Sequence, residues 1–480
     1  MIQLHEIYEV IPLVLIAFAA CAILVIEAFS KKGSSAVYGF SIITVTGAIA
    51  ASFLSLNKEL IIFNQFLRIS NASVMFSVII LAGILITIIA SKNYIEKENI
   101  NFGEYYSLIL FSVLGMMLMV FANDLLIIFI GLELMSVCFY VLAGFLRLRQ
   151  KSNESALKYF LLGAFITGFI LYGIALIYGI SGTTNLAELY NQKKLFTNYV
   201  FIIGFALFLI GFLFKIGVFP FHMWIPDVYD GAPTTLSGMF STAGKIAAVG
   251  TILPIILALN ITNFKLIFSV AAVATMMYGN VIALAQSNMK RLLAYSSIAS
   301  AGYIFVGVAA MNEFALKGIA YYLIAYTFMQ LGAFIIVSIL EKKDDGSRDY
   351  KNVDIDFYKG LGKRNPLMAT FMTIFLFSLA GIPPFAGFWG KYYLFYAAIQ
   401  ANLIWLSVIG ILLSLIGVYY YLKITVYMWF HESTDLVTAG YEKEPVSRSG
   451  IFATSLAVVG TVVLGLDPNM FFRIFKMIAE

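Results

Sequence analysis

Apolar stretches long enough to cross a bilayer follow one another from residue 10 to residue 466, with short polar connections between them. The expected spans are roughly 10–29, 36–56, 72–91, 105–122, 124–146, 157–180, 199–221, 234–259, 265–286, 289–311, 314–340, 366–399, 403–430 and 449–466. A helix needs about 20 apolar residues to cross a hydrocarbon core about 30 Å thick, and these segments supply them. The runs are continuous, whereas the strands of an outer-membrane barrel alternate. The pattern therefore predicts an all-α polytopic membrane protein of about 14 transmembrane helices in a single transmembrane domain spanning 1–480. The longest polar stretch, Glu341 to Arg364, reads as a loop. The tail from Asp467 reads either as a short interfacial helix or as a final half-turn packed on the bundle.

Two spans break the pattern. The segment 366–399 would be about 50 Å long as one straight helix, and Pro383-Pro384 sits inside it. The seventh span runs into Pro220 in a similar way. Around these prolines the chain nearly repeats itself, as Pro220-Phe221-His222-Met223-Trp224 and Pro384-Phe385-Ala386-Gly387-Phe388-Trp389. Interrupted helices at corresponding places in two halves point to an inverted-repeat transporter.

Composition agrees with the pattern. At 61% hydrophobic and 12% charged residues, a water-soluble chain could not hide its apolar surface. The net charge of +5 is spread over loops, which excludes a nucleic-acid footprint. Loops after odd-numbered spans carry Lys31, Lys32, Lys92, Lys97, Arg147, Arg149, Lys151, Lys290, Arg291, Lys342, Lys343, Arg348, Lys351, Lys359, Lys363, Arg364, Lys443 and Arg448. Loops after even-numbered spans carry only Lys58, Arg68, Lys193, Lys194 and Lys265. Basic loops stay cytoplasmic, so both termini are expected outside. The first apolar stretch follows the acidic start His5, Glu6, Glu9 and reads as a retained helix, not a signal peptide.

The candidate chemistry is charge inside the membrane. Glu133, Lys215, Lys245 and Lys391 all lie within spans. A charge at the bilayer centre costs about 2.5–3.5 kcal/mol, and such residues usually line ion or proton pathways. Burial lowers a lysine's proton affinity and a nearby carboxylate restores it, so Glu133 moving toward or away from Lys215 would switch that amine, with Lys245 as receiver. A static Glu133–Lys215 ion pair that only locks helices is the alternative. Lys158 reads equally as a proton-uptake residue or a snorkelling lysine, and Lys290 more simply as an anchor beside Arg291. Lys317 and Lys423 lie in or near spans and read mainly as structural, and Asp227 and Asp230 read as helix-capping or loop-turn residues. Cys21 and Cys138 read as small buried hydrophobes, with no CxxC motif. His5, His222 and His431 have no zinc- or haem-ligand spacing, and Gly244-Lys245 lacks the spacing of a phosphate loop. No metal or cofactor site is expected in this chain.

The segments LGLELMSVCFYVLAGF, ESALKYFLLGAF, FKIGVFPFHMWIPDVYDGAPTT, QSNMKRLLAYSSIASAGY and SLAGIPPFAGFWGKYYLF strongly resemble the antiporter-like membrane subunits of respiratory complex I, the proton-translocating NADH:quinone oxidoreductase. The resemblance covers roughly residues 100 to 430, and within the family a lysine at position 391 resembles the subunit N branch. It implies two inverted five-helix repeats, spans 4–8 (105–259) and 9–13 (265–430), with broken helices 7 and 12, after N-terminal helices in 1–100 and before a C-terminal helix in 449–480. It also implies Glu133 with Lys215 as a coupling pair, Lys245 as central relay, Lys391 toward the outer exit, and Lys158 and Lys290 at proton-uptake ends. NADH, FMN, iron–sulfur clusters and quinone would then belong to partner subunits. The partners would be other membrane subunits of that complex and the lipid bilayer, in a bacterial inner membrane. A cation/proton antiporter subunit, a purely structural membrane arm and a ferredoxin- or hydrogenase-linked complex are the rival readings.

Overall fold

The computed structural model describes residues 4–29, 35–192, 195, 197–259, 264–343, 350–351, 353–432 and 447–475. Lys31, Lys32, Lys193, Lys194, Arg348, Lys443 and the tail residues 476–480 lie outside them, and only the backbone is described for His5, Lys342, Lys343 and Lys351. The membrane helices are α1 (Ile11–Phe29), α2 (Ser35–Phe53), α3 (Asn71–Lys97), α4 (Gly103–Phe121), α5 (Leu125–Ala143), α6 (Gln150–Ser181), α7 (Tyr199–Ile216), α8 (Thr234–Leu259), α9 (Lys265–Leu284), α10 (Met289–Ala310), α11 (Glu313–Leu340), the interrupted α12 (Pro366–Ala380 and Ala386–Gln400), α13 (Ile404–Phe430) and α14 (Arg448–Leu466). Among the described residues, thirteen of these are single helices long and apolar enough to span a membrane, and α12 is the fourteenth crossing. Small antiparallel hairpins occupy two loops, with Leu60 opposite Ile69 in one and Lys342 opposite Lys351 in the other.

Polar residues just before apolar runs set where helices begin. Asp124 accepts from the Leu126 amide at 2.8 Å, Asn288 from the Lys290 amide at 2.8 Å, and Ser70 with Ser73 forms a capping box on α3. Helix α6 begins at Gln150, earlier than the expected 157, so Lys158 lies two turns inside it.

The two breaks are built alike, and glycine begins them. Gly217 and Gly381 have φ of 85° and 87°, a left-handed conformation that glycine adopts without a Cβ penalty. The amides of Gly217 and Val218 both donate to Leu213 O at 2.9 Å; those of Gly381 and Ile382 donate to Phe377 O at 3.1 and 3.0 Å. The internal repeat is therefore Gly-Val-Phe-Pro-Phe against Gly-Ile-Pro-Pro-Phe, starting three residues before the second proline. Helix α7 stops at Ile216 rather than 221 and resumes as the short helix Ile225–Gly231. Phe219-Pro220 and Pro383-Pro384 are cis.

The most extensive helix contacts also correspond between the halves. Helix α4 packs on α5 and α9 on α10, while α6 packs on α7 and α11 on the second half of α12. Gly115 and Gly131 let α4 and α5 touch backbone to backbone, because a Cβ on Gly115 would lie 2.6 Å from Gly131 O. Large apolar side chains such as Phe18, Ile43, Leu161 and Leu412 point outward, as a lipid-facing surface requires, while serines, threonines and lysines are buried between helices. Cys138 is buried as expected; Cys21 is exposed on the uncovered face of α1.

Contacts at the two ends sort the loops. Glu9 pairs with Lys58 at 2.7 Å and Phe53 stacks on Phe475, so the chain's two described ends share one side with the base-poor loops. On the opposite side Arg149 makes a buried ion pair with Glu98. The tail forms the helix Pro468–Ile474, with Phe471 and Phe472 buried against Tyr321, so it packs on the bundle.

Candidate proton-transfer site

Lys215 sits in the last turn of α7, at the break. Its Nζ is buried, makes no hydrogen bond, and lies 5.2 Å from the Tyr140 ring, 5.1 Å from Tyr159 and 5.7 Å from Phe214. Glu133 lies two turns before Tyr140 on α5, and its Oε1 is also buried without a partner. The carboxylate acts on Lys215 through space, yet no ion pair joins them. This overturns the static ion pair as a description of the site: the two charges face one region while unbonded.

Lys245, in the middle of α8, is fully buried. It donates to Ser297 Oγ at 2.6 Å and to the Ser297 carbonyl, and it lies 5.8 Å from the Tyr326 ring. Ser297 also lies beside the Tyr229 and Tyr326 hydroxyls, neither of which makes a hydrogen bond of good geometry.

Lys391, in the second half of α12, reaches back across the break to donate to Ala380 O at 3.0 Å, with its amine 4.8 Å from the Tyr303 ring. Side chains on helices lean toward the N-terminus, which explains the backward reach. From Tyr303 a buried polar chain leads toward Lys245. Asn280 donates to the Tyr303 hydroxyl at 3.2 Å and accepts from Tyr420 at 3.1 Å. Tyr420 packs on Tyr421, ring to ring at 4.4 Å, and Tyr421 is hydrogen-bonded to Ser296, the neighbour of Ser297. Sequence reading missed this chain. Asn280, a lone amide in an apolar run, was the available signal, since the tyrosines look like ordinary membrane aromatics.

Residues 122–417 match the family model described as NADH:quinone oxidoreductase/Mrp antiporter, transmembrane. The chain belongs to this family. It is 42% identical to NADH-quinone oxidoreductase subunit N of Trichlorobacter lovleyi, over 96% of this chain and 94% of that one. It is 45% identical to the subunit N of Salinibacter ruber, over 84% and 80%. Among solved structures it superimposes on a chain of respiratory complex I from Thermus thermophilus with a TM-score of 0.82 at 29% identity, covering 96% of this chain and 99% of that one. A chain of the Mrp complex from Dietzia shares the fold, with a TM-score of 0.83 at 19% identity over 98% and 96%.

In this family member the end bearing the basic loops holds a second set of charges. Lys158 pairs with Glu154 and Asp227, each at 2.7 Å, and Asp227 also accepts from Arg291 at 2.9 Å. Asp230 accepts from Asn288 at 3.2 Å. Asp227 and Asp230 therefore tie the break of α7 to the start of α10, rather than serving only as turn residues. Burial would raise the Asp227 carboxyl, but the hydrogen bonds from Lys158 and Arg291 hold it below the usual carboxylate range. Lys290 is fully buried and donates to Ala232 O at 2.9 Å, so it is no surface anchor. His222 is buried with both ring nitrogens unbonded, 4.2 Å from the Tyr278 ring centre. Lys317 lines a cavity of about 550 Å³ with Asn71, Met311 and Phe475, and the Lys423 amine lies 5.7 Å from the Tyr427 ring. Among the described residues no group of three His, Cys, Asp or Glu side chains is placed to hold a metal.

Proposed function

We propose that this chain is a non-redox, proton-translocating membrane subunit of an NADH:quinone oxidoreductase. Its partners are the complex's other membrane subunits, and NADH, FMN, iron–sulfur clusters and quinone are handled elsewhere in the complex. What carries the reading is the row of buried amines. Lys215 and Lys391 lie at two equivalent helix breaks, and Lys245, in the middle of α8, is linked toward Lys391 by the Tyr303–Asn280–Tyr420–Tyr421 chain. Glu133 biases Lys215 from a distance, so a small shift of α5 against α7 would change whether that amine holds a proton. Lys158 and Lys290 stand on the proton-uptake side, which the loop charges assign to the cytoplasm of a bacterial inner membrane. The outer-exit role belongs to Lys391.

The test is NADH-driven proton uptake by the assembled complex in proteoliposomes. Lys245→Ala is expected to keep subunit composition and lose translocation; full pumping by that variant would refute the relay. Sodium antiport is the second reading, because the family also covers Mrp antiporters. The 42% identity to subunit N against 19% to the Mrp chain favours the first, and sodium-dependent transport by the complex would reverse that preference.

A further inference from the structure

Glu341 follows α11 at the basic-loop end, in what the sequence presents as a polar loop, yet it is 1% exposed. Its Oε2 accepts from Thr234 Oγ1 at 2.7 Å, and its Oε1 has no partner. Thr234 opens α8, the helix that carries Lys245. Lys290 donates to Ala232 O, two residues before Thr234, so an acid and a base hold one linker between the α7 break and α8. Groups facing Glu341 come from every neighbour: Lys290 from α10, Lys97 and Glu98 from the end of α3, and Tyr358 from the turn Ile355–Tyr358. Asp230, Arg149 and Lys151 act on Lys290 in turn.

Periodicity extends this pair inward. Thr234 and Lys245 are eleven residues apart, three turns of α8, so they share a face about 16 Å apart. Lys290 and Ser297 are seven apart on α10, again one face. Gln330 and Glu341 are eleven apart at the end of α11. Gln330 is fully buried; its amide donates to Leu293 O at 3.0 Å, and its Oε1 is left as an unbonded acceptor. Leu293, whose carbonyl Gln330 bonds, lies between Lys290 and Ser297 on α10, so the Gln330 amide stands between Thr234, Lys290 and Glu341 at one end and Lys245 with Ser297 at the other.

We infer that Glu341 and Lys290 form a second buried acid–base pair that loads protons toward Lys245 past Gln330. This rests on the proton-transfer reading of Lys245. Glu341 takes up a proton from the basic-loop end beside Lys97, whose amine bonds its backbone carbonyl at 2.5 Å. It becomes a carboxylate again on passing that proton to the Lys290 amine, and Lys245 is the next base along the column. A water held on Gln330 Oε1 would bridge the two ends. Burial lifts the Glu341 carboxyl to about 7, against the opposing pull of Lys290, Thr234 and Lys97. A carboxyl near neutrality suits exchange at cytoplasmic pH.

The test measures protons moved per quinone reduced by the assembled complex in proteoliposomes, from pH 6 to pH 8.5. Glu341→Gln is expected to lower translocation about tenfold, and Glu341→Asp to restore it with a displaced pH profile. Infrared difference spectra of the wild-type complex with labelled glutamate should show a protonated carboxyl band that fades as pH rises through about 7. Glu341→Gln should remove that band. Wild-type translocation and pH profile in Glu341→Gln would overturn the inference. If that variant fails to assemble, the absence of the titrating band in the wild type would overturn it instead. Lys245→Ala separates the two readings. If it stops translocation while Glu341→Gln is normal, only this inference falls; if it pumps normally, the Lys245 relay falls first.

Discussion

Ser297→Ala tests how the central amine is held. Lys245 has two acceptors, Ser297 Oγ at 2.6 Å and the carbonyl of the same residue, and no carboxylate partner among the described residues. A hydrogen bond to a charged donor contributes about 1.5–3 kcal/mol, and its loss falls entirely on the protonated form. At 1.36 kcal/mol per pKa unit, the amine's proton affinity drops by a factor of about 10 to 100. The low end applies if the unbonded Tyr229 or Tyr326 hydroxyl turns in to replace the serine. The sign follows from the protonated form being the one destabilised. Lys245 then holds its proton only at lower pH, so the alkaline limb of the translocation profile moves down by about one to two pH units. Ser297→Thr, which keeps a hydroxyl, should restore it. The assay is dye-reported proton uptake by reconstituted complex at a series of pH values, with quinone reduction measured in parallel. An unchanged profile in Ser297→Ala, with the serine still reporting as a Lys245 partner in the wild-type structure, would refute the relay role of this contact.

Other expectations use the same assay or thermal melts. Lys215→Met and Glu133→Gln should each abolish translocation while leaving subunit composition intact, because neither side chain makes a bond that holds helices together; loss of assembly would show a structural role instead. Gly217→Ala should cost about 1–2 kcal/mol for the left-handed backbone, and more because the new methyl meets Ile225 Cδ1 at 2.1 Å, so the melting temperature should fall. Gly381→Ala carries the same backbone cost, but its methyl meets Lys391 Cδ at 3.1 Å, so translocation should suffer more than stability. Asp227→Asn removes two part-exposed ion pairs worth less than about 1 kcal/mol each. Since the folded carboxyl lies below its ordinary value, that stability is present above about pH 4 and lost as pH falls through the folded value. Melts of the variant should therefore differ least from wild type in acid.

Much of this was legible because hydropathy is a local property. The crossings, the two interruptions and the four central charges follow from run length and from charge in apolar sequence, and the helices fall where the runs do. What was not legible depends on backbone geometry and on distant neighbours. Prolines mark the breaks, yet the helices end at Gly217 and Gly381, because a left-handed residue closes a helix before a proline is reached. Glu341 reads as loop because six basic or acidic residues follow within the next eight, and nothing local says that Thr234 covers it. Lys290 reads as an anchor for the same reason. Asp227 looks like a turn residue until Lys158 and Arg291, 69 and 64 residues away, are brought to it.

The repeat is most instructive where its sequence fails to repeat. Aligning Gly217 with Gly381 places Lys215 against Leu379, and Lys391 against Asp227. By register, the two lysines are unrelated. Each nonetheless belongs to the last turn before a break: Lys215 stands in one, its amine unbonded over aromatic rings, and Lys391 reaches back to donate to Ala380 O in the other. Each break leaves the C-terminal end of a half-helix inside the membrane, where unsatisfied carbonyls carry about half a negative charge. An unbroken helix would offer no such end at that depth. The dipole end contributes up to about 2 kcal/mol to a buried cation, against an insertion cost of about 2.5–3.5 kcal/mol. The two nearly balance, so neither protonation state of the amine is locked, and a modest displacement of Glu133 or of a half-helix suffices to tip it. Fully paired lysines would hold their protons, and fully uncompensated ones would never accept them. On the proton-transfer reading proposed above, the helix break is part of the chemistry, and what the two halves share is a buried lysine at a break rather than a residue at one register.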